Sequence, residues 1–590
     1  MCIIFGMVML VTCLFAQTTI PPGPVQGNWT AAGSPYLVMG NISIANGASL
    51  SIGAGVDVVF QGTFSLAVSG SISTTGSADL PVTFTAQDTL NGWSSIRLSN
   101  TGTGLNPPSS FTHTNFLYGR AIWGSGGGDP LNFGGAVWAD NAGTLTFDSC
   151  FFNRCKSIYD GSAIYADNGT NVVMNNCTVK NCESGFFGGV FVRDGNAEIT
   201  DCLFDSNVAV TFGAALYFYD SPQANVTSCV ISNNVAGAVT GIYGASSNVV
   251  VKNSLFAGND TTMGLGGGMG IIGGSVSLIN NTFYGNTSAQ GGAAAWFNVL
   301  PAPALITNCI FWDNQPDALA ANNSSYLLSH CSMQEQEGGA TNIFGDPQFT
   351  DPAQGILTLM ATSPCIDAGT PDATGLGLPD IDLAGMPRIV DGNGDGTPRI
   401  DIGCYEWQVP VTDGILLGQV LTSQSEPIEG ALIEADGITI LSDAAGFYSL
   451  TLPAGTYDVS CSKPGYVTFV EHDVSVVAGM TTTLDFYLDI VGNSDEYLVA
   501  AIQMAQNTPN PFAGKTSIPF SLDRESRIDL SIYNLKGQKV RTVFSGMARS
   551  GEHSADWDGL DDNGRPVERG VYLYRLNIQG RSVTRRLVKL

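Results

Sequence analysis

The chain has 590 residues, enough for several cores. Only 13% are charged and 72 are Gly, which argues against a helical protein laced with surface ion pairs and favours strands joined by tight turns. The net charge of −27 argues against nucleic acid as a partner, because phosphates need a basic patch.

That charge is uneven. Residues 1–506 hold 42 acids against 10 bases, whereas residues 507–590 hold 9 against 14. The acidic body would also repel a polyanionic polysaccharide unless metal ions intervened.

The opening stretch, MCIIFGMVMLVTCLFAQ, reads as the apolar core of a secretory signal ending near Ala16, although no Lys or Arg precedes it. It is too short to span a bilayer, and no other segment could cross as a helix. Export is therefore expected. It permits disulfides among the eleven cysteines that follow the signal.

Residues 27–98 alternate short strands with turns and read as the first coils of a solenoid whose end is blocked by about the first 30 residues. A repeat of 25–28 residues then takes over. Its anchor falls at Cys150, Cys177, Cys202, Cys229, Ser254, Asn281 and Cys309. Two residues later stands a large apolar residue, from Phe152 and Val179 through Phe204, Ile231 and Phe256 to Phe283 and Phe311. Five residues after the anchor, Asn207, Asn234, Asn259, Asn286 and Asn314 line up, with Cys155 and Cys182 in that place in the first two repeats.

Such a period without helical 3.6-residue patterning predicts coils stacked so that equivalent side chains bury one another. Parallel strands stack about 4.8 Å apart, so about twelve coils would span roughly 60 Å. Stacked Asn can form amide ladders. The anchor cysteines read as small buried thiols. A Cys155–Cys182 disulfide stays open.

GGAV at 134–137, GGAA at 291–294, and F-x-x-N at 204–207, 256–259, 283–286 and 311–314 resemble the repeats of polymorphic outer-membrane proteins and other right-handed parallel β-helix proteins. The likeness implies an all-β chain, with a right-handed parallel β-helix over residues 17–345. That fold hosts lyases, esterases, glycosidases and adhesins alike, so it implies no activity.

SPCIDAG (363–369) and RIDIGCYEW (399–407) resemble the segment that closes many secreted β-helix proteins, here residues 346–408. The likeness implies a disulfide between Cys365 and Cys404, with two separate thiols as the alternative. Between them DGNGDG places Asp391, Asn393 and Asp395 like the first half of a Ca²⁺ loop. The acid expected at the twelfth position is replaced by Ile402, so an ion-free turn stays open.

Residues 414–489, with Gly418, Pro427, Gly430, Tyr448, Gly455 and Tyr466 in place, resemble a carboxypeptidase regulatory-like β-sandwich. Residues 490–506 read as linker. Residues 507–590 carry NTPNPF, SIYNLKGQKV, SADWDGLDDNGRPV and RGVYLYRLNIQG. They resemble the C-terminal sorting domain of type IX secretion, related to the Ig-like domain of flagellar hook-capping proteins. That implies a Gram-negative bacterium, type IX machinery as a partner, and release or attachment at the outer surface.

Two features of the repeat bear on function. Asp140, Asp167, Asp194 and Asp220 recur at steps of 27, 27 and 26, so they could stack about 5 Å apart, the separation used by retaining glycosidases. They could equally close turns through their own backbone, or bind a cation or glycan. Trp138, Tyr165 and Tyr217 are spaced like a strip that would grip sugar rings if outward and join the core if inward. The bases of residues 27–345 share no column, and His113 and His330 stand at opposite ends, which disfavours a lyase. The expectation is a non-catalytic secreted or surface protein for adhesion or carbohydrate binding, with a glycosidase using paired aspartates as the alternative.

Overall fold

The computed structural model describes residues 17–99, 107–122, 124, 129–336, 339–409, 412–490, 502–522, 525–578 and 581–590. The expected signal, residues 1–16, and most of the expected linker, 491–501, lie outside them. Two compact units, Met1–Val409 and Pro410–Leu590, divide the chain.

In the first unit the backbone coils through three long parallel sheets. The first has 14 strands, running from Thr18–Ile20 to Ile343–Phe344; the second and third have 12 each. A short fourth sheet of seven strands, Arg120–Ala121 to Thr287–Ser288, widens the middle coils. Each rung pairs with the next in register: Phe204 with Ile231, Ile231 with Phe256, Phe256 with Phe283. Rings of that column stack, with centroids 4.4 Å apart for Phe256–Phe283 and 5.1 Å for Phe283–Phe311. This parallel β-helix is the predicted one.

Polar ladders hold the corners. The Asn259 Nδ2 donates to Asn286 Oδ1 at 2.9 Å and to the Ile231 carbonyl at 2.8 Å, and Asn234 and Asn286 repeat the pattern. Corner amides donate likewise to the anchor side chains: Cys229 to Ser254 Oγ at 3.0 Å, and Ser254 to Asn281 Oδ1 at 2.9 Å. Thiol, hydroxyl and amide are interchangeable there because each can accept from the amide one coil away. All eleven described cysteines are buried and free.

The N-terminal block is itself a coil, since Thr18–Ile20, Gly23–Pro24 and Gly27–Trp29 already join the three sheets. Pro21, Pro22 and Pro24 lack the N–H that strand addition would use.

The segment 346–408 closes a side of the coil. It folds back over the outer face of the first sheet, where Phe349, Leu357, Leu359, Ile366 and Ile402 pack on Leu255 and Ile310. Outward residues beneath it are sealed, with Leu255 at 6%, Thr282 at 1% and Ile310 at 1% exposure. Gly403 lets the strap come this close: a Cβ there would lie 2.7 Å from Ile310 Cδ1 and 2.8 Å from Thr282 Oγ1. Cys365 and Cys404 share this apolar cluster but are free thiols, so the expected disulfide is absent. Each faces hydroxyls instead, Cys365 those of Ser332 and Ser363, and Cys404 that of Thr282.

The second unit contains two β-sandwiches. In the first, Asp413–Thr422 pairs with Phe447–Pro453 opposite a sheet built on Leu432–Ala435 and Gly455–Ser462, around Leu416, Ile433, Val459 and Phe486. In the second, Thr516–Leu522 pairs with Gly551–Trp557, and Ser526–Asn534 with Gly570–Ile578, around Trp557 and Tyr574. Ile502–Met504, within the expected linker, is a strand paired with this sandwich. Among the described residues no helix is long and apolar enough to cross a membrane.

Candidate functional site

Each strand of the second sheet has four residues in the central coils, such as Val137–Asp140, Ile164–Asp167 and Leu216–Tyr219. Period-two alternation points the first and third inward and the second and fourth outward. The second-place column runs Arg97, Trp138, Tyr165, Phe191, Tyr217, Tyr243. Phe191 and Tyr243 extend the aromatic strip beyond its expected members. Counting along strands, rather than between similar words, would have found them.

The strip faces outward yet is not an open platform. Tyr165, Phe191, Tyr217 and Tyr243 lie beneath a roof of loop residues, Phe133, Phe187, Phe212 and Val239, in a second apolar layer. Tyr165 stacks on Phe191 at 5.0 Å, and Phe212 on Tyr243 at 4.6 Å. Tyr165 and Tyr217 are only 5% exposed, so neither offers a ring face to a sugar. This corrects the expected grip. Trp138 is half-buried, with the Arg97 guanidinium 4.4 Å over its ring.

The four aspartates do not form one column. Asp140 pairs with Asp167, but from Ile164 to Val190 the register advances by 26 residues, which places Arg193 after Asp167 and Tyr219 after Arg193. Asp194 and Asp220 belong one place later, at the turn, where their φ values of +58° and +48° match those of Asn141 and Asn168. Asp and Asn tolerate that left-handed backbone better than most residues.

Asp167 is saturated. Arg193 donates to it through Nε at 2.6 Å and through a second nitrogen, the Tyr165 hydroxyl donates at 2.9 Å, and the Asn168 amide at 2.7 Å. Asn168 Nδ2 donates to Asp140 Oδ1 at 2.5 Å. The hydrogen bonds to Asp167 raise the guanidinium pKa of Arg193. Burial beneath the roof lifts Asp160 to about 7, against the attraction of Arg193. With both oxygens of Asp167 engaged, an Asp140–Asp167 pair lacks the free nucleophile a retaining glycosidase requires.

What remains open along this margin is a polar ledge: Asn168, Asp194 and Asp220 exposed, Arg193 with 39% of its side chain exposed, and Tyr219 40% exposed. Elsewhere on the coil, a cavity of about 10 Å³ lined by Phe311, Asn314 and Met333 holds no more than a water.

The expected Ca²⁺ residues form a closed loop. Asp391 accepts from the Asp395 and Gly396 amides at 3.1 and 2.9 Å, and Asn393 Oδ1 from Asp395 at 2.8 Å. Among the described residues no three His, Cys, Asp or Glu side chains are grouped to hold a metal.

Family models match three stretches: right handed beta helix region at 109–211 and 135–299, carboxypeptidase regulatory-like domain at 415–489, and FlgD Ig-like domain at 506–581. No curated protein matches the chain. Among solved structures, dimeric latent PorU from Porphyromonas gingivalis is 13% identical at a TM-score of 0.15, covering 29% of this chain and 17% of that one. A candidate carbohydrate binding protein from Bacteroides uniformis is 15% identical at 0.14, covering 30% and 99%. A DUF3823 family protein from Parabacteroides merdae is 12% identical at 0.14, covering 31% and 100%. Likenesses at these scores carry no argument about function. Fold and family matches agree on the architecture: a right-handed parallel β-helix, then a carboxypeptidase regulatory-like domain, then an Ig-like domain of the FlgD type.

Proposed function

We propose that the protein is a non-catalytic, exported or surface-displayed β-helix that binds a polysaccharide along the ledge beside the second sheet. The observation that carries this reading is the preorganised row of Asn168, Arg193 and Tyr219 on successive rungs. Arg193 is fixed by Asp167, Asn168 by Asp140, and Tyr219 stands edge-on to Tyr217 at 6.4 Å. Planar groups that can bond two hydroxyls, next to an aromatic ring on a rigid sheet, suit a sugar polymer whose residues repeat about as often as the rungs. The buried face of the strip supplies stiffness.

Residues 507–590 serve, in this reading, as the part recognised by type IX machinery. The resemblance of their motifs supports that, and their basic balance sets them apart from the acidic body.

The test pairs a glycan array with a reducing-sugar assay on every polymer bound. Binding without sugar release is expected. Release of reducing ends, or no retained polymer, would overturn the reading.

A further inference from the structure

The strap holds an uncommon polar hub. Asp367, Asp382, Asp401 and Glu406 are at most 5% exposed, and the one guanidinium buried with them is Arg388, at 8%. Most of their oxygens accept strap amides: Asp401 from Asp367 at 2.7 Å and Trp407 at 2.6 Å, Asp382 from Ala384 and Met386 at 2.8 Å, and Glu406 from Ile389 at 3.1 Å. Arg388 meets Glu406 only at a long 3.4 Å, gives another nitrogen to Asn253 of the coil, and leaves its buried Nε without a partner. One cation is thus shared among four carboxyls.

The same residues form the seam with the coil. Asn280 Nδ2 donates to the carbonyls of Asp401 and Gly403 at 2.9 and 3.0 Å, and the Cys404 amide to Thr282 Oγ1 at 3.2 Å. We propose that the strap is a proton-controlled clasp, held while at least one of Asp401 and Glu406 stays protonated and loosened when both ionise, uncovering the outward row of Leu255, Thr282 and Ile310.

The groups facing this pair are few. On the strap they are Asp367, Asp382, Arg388 and the Cys404 thiol. From the coil come neutral Asn253, Asn280 and Thr282, with the buried Cys309 thiol beyond Cys404 and Lys252 at the margin on the Gly377 carbonyl. Burial raises both carboxyls into the neutral range, with the charge of Asp367 adding to it at Asp401, that of Asp401 adding to it at Glu406, and Arg388 opposing at both. A carboxyl with a raised pKa favours the docked state below about pH 4, where a free carboxyl titrates, and loses that contribution as pH rises through neutrality. Docking should weaken by up to about tenfold per pH unit for each group.

Hydrogen exchange of the full chain from pH 5 to 8, corrected for intrinsic chemistry, tests the clasp. Peptides spanning 363–370 and 400–407 should lose protection at least tenfold relative to coil peptides around Phe204 and Phe283. Glu406→Gln should cut that relative loss about tenfold. Strap and coil peptides changing in parallel in the wild-type chain would overturn the proposal, whether or not the variant folds. So would a Glu406→Gln chain that follows the wild type.

Discussion

The early and late halves of the first sheet share one backbone but wear different coats. Up to Leu203 the outward residues, such as Phe151 and Thr178, are half-buried; from Leu255 onward the strap seals them. The corner asparagines follow suit. Asn176 is exposed, whereas Asn280, at the same corner with φ near +50° in both, is fully buried and bonded to the strap. The second sheet repeats the lesson with its roof. The coil supplies a regular frame, and what lies on its outer faces decides which rungs stay available.

The contrast breaks hardest at Arg388. Arg388→Ala leaves the four buried carboxyls of the hub without their one cation and should cost about 3–5 kcal/mol at pH 8, where the clasp pair ionises, read by denaturant unfolding. A loss below 1 kcal/mol would mean the strap is not held as described.

Asp160→Asn sharpens the other coat. Burial raises Asp160 to about 7, so its carboxyl favours the folded state at low pH and loses that contribution as pH rises toward 7. The wild type should lose about 2–3 kcal/mol relative to the Asn variant between pH 5 and 8. Parallel stability curves would show Asp160 to be solvated.

The smallest effect is a paired comparison. Asn280→Ala should cost about 1–2 kcal/mol by orphaning strap carbonyls. Asn176→Ala shares the left-handed backbone strain but its amide reaches only Ser149 Oγ at 3.2 Å, so it should be less costly than Asn280→Ala by about 1 kcal/mol. Equal costs would erase the distinction between strapped and bare rungs.

The inside of the coil was legible in the sequence and its outside was not. Phe204, Ile231 and Phe256 announce their contact because each packs on its own counterpart, and the asparagines do the same. Asp194 slipped from its expected column because a loop between anchor and strand shortens by one residue, so counts made at one corner do not transfer to another. Tyr165 and Tyr217 point outward as one alternative held; the roof residues Phe187, Phe212 and Val239 recur on successive coils just before the strip, a spacing that marks them as stacked but not as folded over it. The strap reads as a closing segment whose target face no repeat encodes. Its thiols at Cys365 and Cys404 sit in one cluster with different hydroxyl partners, which spacing alone could not reveal.

The ledge is the part of the account on which function rests. Titration calorimetry of the tightest glycan against the wild-type chain, Tyr219→Ala and the control variant Phe186→Ala, an exposed ring edge-on to the roof residue Phe187 at 6.1 Å, tests it most directly. The account predicts at least about tenfold weaker binding for Tyr219→Ala, a loss of about 1.4 kcal/mol, and no change for Phe186→Ala. Equal affinities for all three chains, or a loss confined to Phe186→Ala, would contradict it.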